Sequence, residues 1–480
     1  MQRVGHRLER VFNPRTVAVI GSKAANNHMW LRNVLTFQGK VYSVQIDEGE
    51  SPGIAALGVE NYSSLLDIPG PVDYVIVAVP RAVTPKVVKD CIAKGVGGVT
   101  LFTSGFAETG TEEGMRLQEE VRQLAQEWGL NLIGPNCMGI FNPSIGLRHN
   151  QEQYCGPGGC VGFISQSGTH AAFFSLMGAR HGVKVSKSVS YGNAVVLDSP
   201  DYVEYLAQDE ETRIIAMYIE GAKEGRRLFE CLKAVTPRKP VVIWKGGQTE
   251  AGARAAASHT ASLAQPYRLW QAMVRQAGAI PVESLEETID VVRALLYIKH
   301  GTGRRVGLMA HTGGPSVVIT DDFARADLEV PALTQESYDK LASFFNVIGG
   351  SYRNPLDMGS TLGMDANLDG LLRVLGQLLD IMGEDANVDV VTMELAVPFM
   401  ARRWQREPET MARILDTMAY YRDRSPKPFM AVVRPLHMEE MAQQAEAGLV
   451  EREIAVFPSF QRAAVALRKM VDYYSFHRQD

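Results

Sequence analysis

His259 stands out by its neighbours. It ends the run Lys245-Gly-Gly-Gln-Thr-Glu-Ala-Gly-Ala-Arg-Ala-Ala-Ala-Ser-His259, which follows the apolar segment Pro240-Val-Val-Ile-Trp244. Small residues let backbone and ligand come close to an imidazole, as bulky side chains do not. A core histidine usually has large apolar neighbours, and a metal-binding one has further ligands nearby. His259 has neither in its local sequence. The stretch reads as a nucleophile in an open, phosphate-accepting loop. The plainer alternative is a surface loop that contains a histidine.

Two other segments have the composition of a phosphate site. Ser165-Gln166-Ser167-Gly168 and Thr312-Gly313-Gly314-Pro315 each follow an apolar run and open a helical one. A helix N-terminus offers unpaired N–H groups and about half a positive charge. Hydroxyls and glycines there favour close approach of an anion, although Ser and Thr also serve as ordinary caps. Taken with His259, the two termini suggest one phosphoryl group held between two helices. Glu220 ends the strand-like run Ile214–Ile219. A carboxylate in that place takes one histidine N–H and leaves the other nitrogen free to attack; a solvated loop acid is the alternative. His170 falls just inside a helical stretch and reads as packing. His311 precedes the Thr312 turn, within reach of a ligand.

The elements that must position these groups repeat along the chain. Apolar strands at Thr16–Ile20, Asp73–Val79, Gly98–Phe102 and Leu130–Ile133 alternate with amphipathic stretches near 83–95 and 112–128. After a Gly/Pro-rich break near 143–158 the pattern resumes, with strands at Val161–Ile164, Lys184–Val189, Ile214–Ile219 and Pro240–Trp244. After a second break, His300–Arg305, strands follow at Val306–Met309, Val388–Met393, Pro428–Val433 and Ala455–Phe457. Such alternation predicts βαβ units and parallel sheets in three α/β domains. The second and third open alike, at Gly162–Thr169 and Gly307–Pro315.

Bulk properties set the number of domains and exclude several classes. The 480 residues exceed one core, and 49 basic residues nearly balance 54 acidic ones. No basic run marks a nucleic-acid or membrane surface. Five scattered cysteines suit a reducing cytosol, and the Cys155/Cys160 pair lacks the companions a zinc site needs, so no metal site is expected. Met1–Arg10 lacks the apolar core of a secretory signal, and no apolar run reaches transmembrane length. A cytoplasmic protein is expected.

The first unit carries a different clue. Gly21-Ser22-Lys23 stands where a dinucleotide fold keeps its glycine loop, but G-x-G-x-x-G is missing. A dehydrogenase is therefore disfavoured, while another nucleotide-bearing ligand fits the strand ends. Val79-Pro80, Ser104-Gly105-Phe-Ala-Glu108 and Gly134-Pro-Asn136-Cys137-Met-Gly139 would line that rim. Cys137 reads as a small buried residue rather than a nucleophile.

With these motifs in order, the chain from about residue 8 to 470 resembles the α-subunit of NDP-forming acyl-CoA synthetases, the ADP-forming acetate–CoA ligases related to succinyl-CoA synthetase. The resemblance adds Tyr191-Gly-Asn, Tyr218-Ile-Glu-Gly, Ala257-Ser-His-Thr and Asn354-Pro-Leu-Asp357 to the segments above. It implies an α/β fold of three consecutive domains. A Rossmann-like coenzyme A-binding domain (1–143) is followed by two flavodoxin-like parallel-sheet domains, one bearing the phosphohistidine (144–302) and a second (303–480). It implies that His259 is phosphorylated and carries phosphate between two sites, with Glu220 in support. It also implies that Gly21, Ser22, Lys23, Val79, Pro80, Ser104, Gly105, Glu108, Asn136 and Cys137 hold coenzyme A. The family's ATP-grasp module is not visible in the sequence, so the resemblance implies a separate β-subunit binding ATP and Mg²⁺, in an α2β2-type assembly.

The sequence departs from the family pattern at several points. Ala261 and Gln265 stand where glycines are usual, and His311 replaces a usual Asn. After the second strand the usual Asn-Pro-Lys is replaced by Val44-Gln-Ile-Asp-Glu, which lacks a basic residue. The expected activity is reversible formation of acyl-CoA, ADP and phosphate from a carboxylic acid, coenzyme A and ATP. The alternative is a coenzyme A-binding regulator that has lost turnover.

Overall fold

A computed structural model describes residues 6–260, 266–299, 303–311, 313–363 and 367–478; side chains of 257–260 are outside this description. Seventeen strands form three sheets among the described residues. The first contains β1 (Thr16–Ile20), β2 (Lys40–Val44), β3 (Glu60–Tyr62), β4 (Tyr74–Val77), β5 (Gly98–Leu101) and β6 (Leu132–Ile133). Its order, β3-β2-β1-β4-β5-β6, is all parallel and is that of a dinucleotide-binding fold. The second contains β7 (Gly139–Phe141), β8 (Val161–Ser165), β9 (Val185–Ser190), β10 (Ile214–Ile219), β11 (Val241–Lys245) and β12 (Ile280–Val282). The third contains β13 (Val306–Ala310), β14 (Leu356–Asp357), β15 (Val390–Glu394), β16 (Phe429–Val432) and β17 (Ala455–Phe457).

The last two sheets share one winding. Their parallel strands run β9-β8-β10-β11-β12 and β14-β13-β15-β16-β17, the flavodoxin-like order in which the first strand lies between the second and third. The likeness read at their openings extends to the elements. Each has a five-residue strand followed by a thirteen-residue helix, Gly168–Arg180 in one and Gly313–Arg325 in the other.

The strands are apolar runs because helices cover both faces of a parallel sheet. The covering helices show the matching spacing: Leu117, Val121 and Ala125 form the buried stripe of Glu112–Glu127, whose start is capped by the Thr111 hydroxyl accepting from Gly114 N–H at 3.2 Å.

The chain divides into two compact units, Met1–Ala179 with Val183–Thr288, and Arg180–Gly182 with Ile289–Asp480. Within the first unit the first two sheets share a core, in which Phe12 stacks on Tyr205 at 4.4 Å. The strand β7 also departs from the expected division at 143. It precedes that position, yet pairs antiparallel with β9 of the second sheet. No helix among the described residues is long and apolar enough to cross a membrane.

Candidate active site

The turn after β8 is built by its own side chains. The Ser165 hydroxyl, expected at a phosphate, is buried and used within the turn: it donates to Ser167 O at 2.7 Å and accepts from Ser167 N–H at 3.1 Å. This closes a hydroxyl-mediated turn that delivers the chain into the helix Gly168–Arg180. Ser167 Oγ accepts from His170 N–H at 3.3 Å, a side-chain cap for the same helix. Gln166 turns toward β10, where its Oε1 accepts from the N–H groups of Glu220 and, at 3.0 Å, Gly221. The loop that opens one helix is thus tied to the strand end that carries Glu220.

Glu220 is buried beside that loop. The Tyr218 hydroxyl donates to its Oε1 at 3.2 Å. Lys245, the first residue of the His259 stretch, is also buried and donates to the Glu220 carbonyl at 2.6 Å, closing the ends of β10 and β11. Burial lowers the Lys245 pKa, and the Glu220 charge opposes that shift. His170 packs as read: its ring lies 4.4 Å from Tyr218 and 4.5 Å from Trp244, with burial lowering its pKa against the pull of Glu220. His259 lies in the last turn of the helix Glu250–Thr260; its side chain, with Ala261 and Gln265, is outside the described residues.

The rim of the first sheet faces the same region. Gly21 has φ +94°, and a Cβ there would stand 2.6 Å from Ala78 O and 2.7 Å from Val79 Cγ1, so only glycine lets the loops after β1 and β4 meet. The loop after β6 packs just as closely. A Cβ on Gly192 would lie 2.3 Å from the carbonyl oxygens of Pro135 and Asn136, and one on Gly168 would lie 2.5 Å from Met138 Cγ. Cys137 is buried and burial pushes its thiol pKa up, which suits the packing role read from the sequence.

A cavity of about 520 Å³ joins the two rims. Val79, Pro80, Ser104, Asn136 and Cys137 line it from the first sheet, and Gln166, Ser167 and Gly168 from the second. A smaller cavity of about 240 Å³ lies beyond Val79, walled by Gly21, Val44, Gln45 and Ile46 on one side and Val83 and Val87 on the other. Ser22, Lys23, Gly105 and Glu108 line neither cavity. Ser22 is buried against His28 Nδ1 at 3.0 Å, while Lys23 is exposed. Glu108 clamps its own loop, accepting from Gly105 N–H at 2.6 Å and Phe106 N–H at 3.1 Å, and receives Asn193 Nδ2 at 2.6 Å. It therefore shapes the rim from behind.

Known proteins place this arrangement. Residues 15–143 match a CoA binding domain, and residues 157–295 match a succinyl-CoA ligase-like flavodoxin domain. The α subunit of ADP-forming acetate–CoA ligase II from Pyrococcus furiosus is 38% identical over 401 residues, covering 82% of this chain and 83% of that one. The chain belongs to the ADP-forming acetate–CoA ligase α-subunit family. Another relative of the family, ADP-forming acetate–CoA ligase I of Archaeoglobus fulgidus, is 37% identical over 80% of this chain, which spans 54% of that protein's length. A solved structure, the dinucleotide-forming acetyl-coenzyme A synthetase 1 of Ca. Korarchaeum cryptofilum in complex with phosphate and ADP, matches with a TM-score of 0.81 and 28% identity over 98% of this chain and 97% of that chain.

The third sheet of this acetate–CoA ligase α-type chain has its own polar centre. Thr312 lies outside the described residues, while Gly313 and Gly314 open the helix Gly313–Arg325. His311 N–H donates to Glu394 Oε2 at 3.1 Å, and Arg434 grips Glu394 Oε1 through Nε at 2.7 Å and through Nη2. The His311 ring stacks on Phe399 at 5.6 Å, and burial pushes its pKa down to about 4. Asn354 of the Asn-Pro-Leu-Asp motif is a staple: its Oδ1 accepts from Leu308 N–H and its Nδ2 donates to Val306 O, each at 2.9 Å.

Sequence reading gave Arg81 and the Glu394–Arg434 pair no part, and named Tyr218 only as the first residue of the Tyr218-Ile-Glu-Gly segment. Tyr218 was legible, because residues two apart on a strand share a face and Glu220 is two positions on. Among the described residues Arg81 is the single charged side chain lining the 520 Å³ cavity, and it donates to Gly105 O at 2.5 Å. Its signal, one arginine after Val79-Pro80, is weak by itself.

Proposed function

We propose that the chain is the α-type subunit of an ADP-forming acid–CoA ligase, with His259 as its phosphorylated residue. The observation that carries this reading is the cavity joining the coenzyme A-type rim at Val79, Ser104 and Asn136 to the helix start at Ser167 and Gly168. A thiol delivered along the first sheet and a phosphoryl group held at a helix N-terminus would meet there.

The reaction divides into three transfers. The γ-phosphoryl of ATP passes to a ring nitrogen of His259, releasing ADP. A substrate carboxylate oxygen takes that phosphoryl group, giving an acyl phosphate and restoring the imidazole. The thiolate of coenzyme A then attacks the acyl carbon, and phosphate leaves. The chain supplies positioning and charge stabilisation, as is general for phosphoryl transfer. The Ser167 hydroxyl and the Gly168 N–H receive the phosphoryl oxygens, Ser165 and Gln166 hold that loop in shape, and Thr312, Gly313 and Gly314 form the second phosphate turn. Glu220 holds the imidazole.

In this reading coenzyme A binds along residues 1–143, the phosphohistidine belongs to 144–302, and 303–480 is the second ligase domain. ATP and Mg²⁺ bind an ATP-grasp module on a separate β-subunit, in an α2β2-type cytoplasmic enzyme. That the Pyrococcus furiosus relative is an α subunit supports a separate partner subunit.

The test is phosphorylation of the purified chain by its partner subunit, Mg²⁺ and γ-labelled ATP. An acid-labile, base-stable label that disappears in His259→Asn is expected. A label persisting in that variant would sink the assignment.

A further inference from the structure

The 240 Å³ cavity has one feature that the phosphate chemistry does not use. Val79 lines both this cavity and the one at Ser167 and Gly168, so a ligand whose thiol reaches the phosphate turn can extend past Val79 into it. The walls suit a base. Ile46 is 80% exposed and Val83 41% exposed, leaving large aliphatic surfaces open beside Val44 and Val87. Gln45, Ser63 and Ser64 add polar groups at the edge.

Coenzyme A carries a 3′-phosphate on its ribose, and the loop after β2 has no cation to meet it. Gln45 cannot substitute. Its Nε2 donates to Ser22 O at 2.7 Å and its Oε1 accepts from Asp47 N–H at 3.1 Å, so the amide staples two loops together. Two of the acids that follow are also engaged, Asp47 capping Gly49 N–H at 3.0 Å and Glu50 accepting from Ala24 N–H at 2.6 Å.

We infer that Lys86 is the phosphate anchor of this pocket, recognising the 3′-phosphorylated adenosine end of the ligand. Among the described residues it is the single basic one lining the cavity and has no ion pair, and it sits in the first turn of the helix Thr84–Lys94. A lysine is a mobile point charge able to follow a phosphate across an open pocket mouth. Asp90, one turn further along the same helix, lines the same cavity and limits how strongly the pocket favours an anion. The cation that the loop after β2 lacks is thus supplied by the helix Thr84–Lys94. This inference rests on the coenzyme A reading of the first sheet.

Calorimetry on the full chain tests it, with coenzyme A and 3′-dephospho-coenzyme A as ligands. The wild type is expected to bind coenzyme A about tenfold more tightly than the dephospho form, which is about 1.4 kcal/mol. Lys86→Gln should lose that preference by weakening coenzyme A binding while leaving dephospho-coenzyme A unchanged, and Lys86→Arg should retain it. The side chain is exposed, so these variants keep the fold. Equal binding of both ligands by the wild type, or a preference that survives in Lys86→Gln, overturns the inference alone. Binding of neither ligand overturns the coenzyme A reading and the inference with it.

Discussion

The Tyr218 hydroxyl points at Glu220 Oε1 across 3.2 Å, on the face that both residues share at the end of β10. The phenol is buried, and burial followed by the Glu220 charge raises its pKa, so it stays a donor at neutral pH. Tyr218 pairs in register with Trp244 on β11, and its ring is held by Trp244 and His170. A Cβ on Gly246 would lie 2.6 Å from the Tyr218 hydroxyl, so that glycine gives the phenol its room. The carboxylate proposed to hold the imidazole is therefore itself held.

Removing that hydroxyl gives the first prediction. Tyr218→Phe keeps the ring contacts and deletes a hydrogen bond to a charged group, an interaction of about 1.5–3 kcal/mol. Turnover of acyl-CoA formation should fall about tenfold or more, with the coenzyme A KM nearly unchanged. Steady-state kinetics with the partner subunit checks this. An equal loss in both parameters, or no loss, would show that Glu220 does not depend on Tyr218.

A backbone position controls the cofactor rim. Gly21→Ala puts a methyl 2.6 Å from Ala78 O at a φ of +94°. Strain of about 1–3 kcal/mol is expected, and relief requires Val79, which walls both cavities, to move. The variant should melt several degrees lower and bind coenzyme A at least tenfold more weakly. Differential scanning calorimetry and a binding titration report the two effects separately; unchanged affinity would place coenzyme A away from Val79.

Acid sensitivity in the second unit should trace to His311. Its imidazole takes up a proton near pH 6.5 when unfolded and only near 4 when folded, because burial excludes the charge. Above pH 6.5 both states are neutral and the group is silent. As pH falls through this window the unfolded chain alone gains the proton, so stability is lost, by about 2 kcal/mol at pH 5. His311→Asn should remove that loss. Hydrogen exchange at β13 and β15, compared at pH 7.5 and 5.0, would read it; an equally steep pH response in the variant would exonerate His311.

Much of this architecture was legible because parallel strands are written as continuous apolar runs. The runs at Thr16, Val161 and Val306 all became central strands. Some short edge strands carry no such signal, although β6 and β17 were read. β3, β12 and β14 have two or three residues each, and β7 joins a sheet on the other side of the apparent break. At the site, residue types were readable and directions were not. Gln166 and Glu108 look like ligand-facing groups in sequence, but a side chain satisfied by neighbouring N–H groups is fixed by loop geometry that spacing does not encode. Arg434 finds Glu394 only because adjacent strand ends bring them together, across 40 residues of sequence.

The departures beside His259 lead to the last prediction. Ala261 adds a methyl and Gln265 a long polar side chain where the pattern of the resembling family has glycine. Glycine lowers the cost of the backbone excursions that a phosphate-carrying histidine makes between two sites, and any other residue restricts them. If His259 moves in this way, the double variant Ala261→Gly/Gln265→Gly should change turnover within about tenfold, or roughly 1.4 kcal/mol of barrier. Single-turnover labelling should show that the change lies in phosphoryl transfer from His259 and not in coenzyme A binding. The wild-type chain, given its genuine partner, must itself form acyl-CoA from at least one of a panel of short, dicarboxylic and aromatic acids. A folded wild type that binds coenzyme A yet turns over none of them, and regains activity only in the double variant, would mean that these two residues have silenced the ligase.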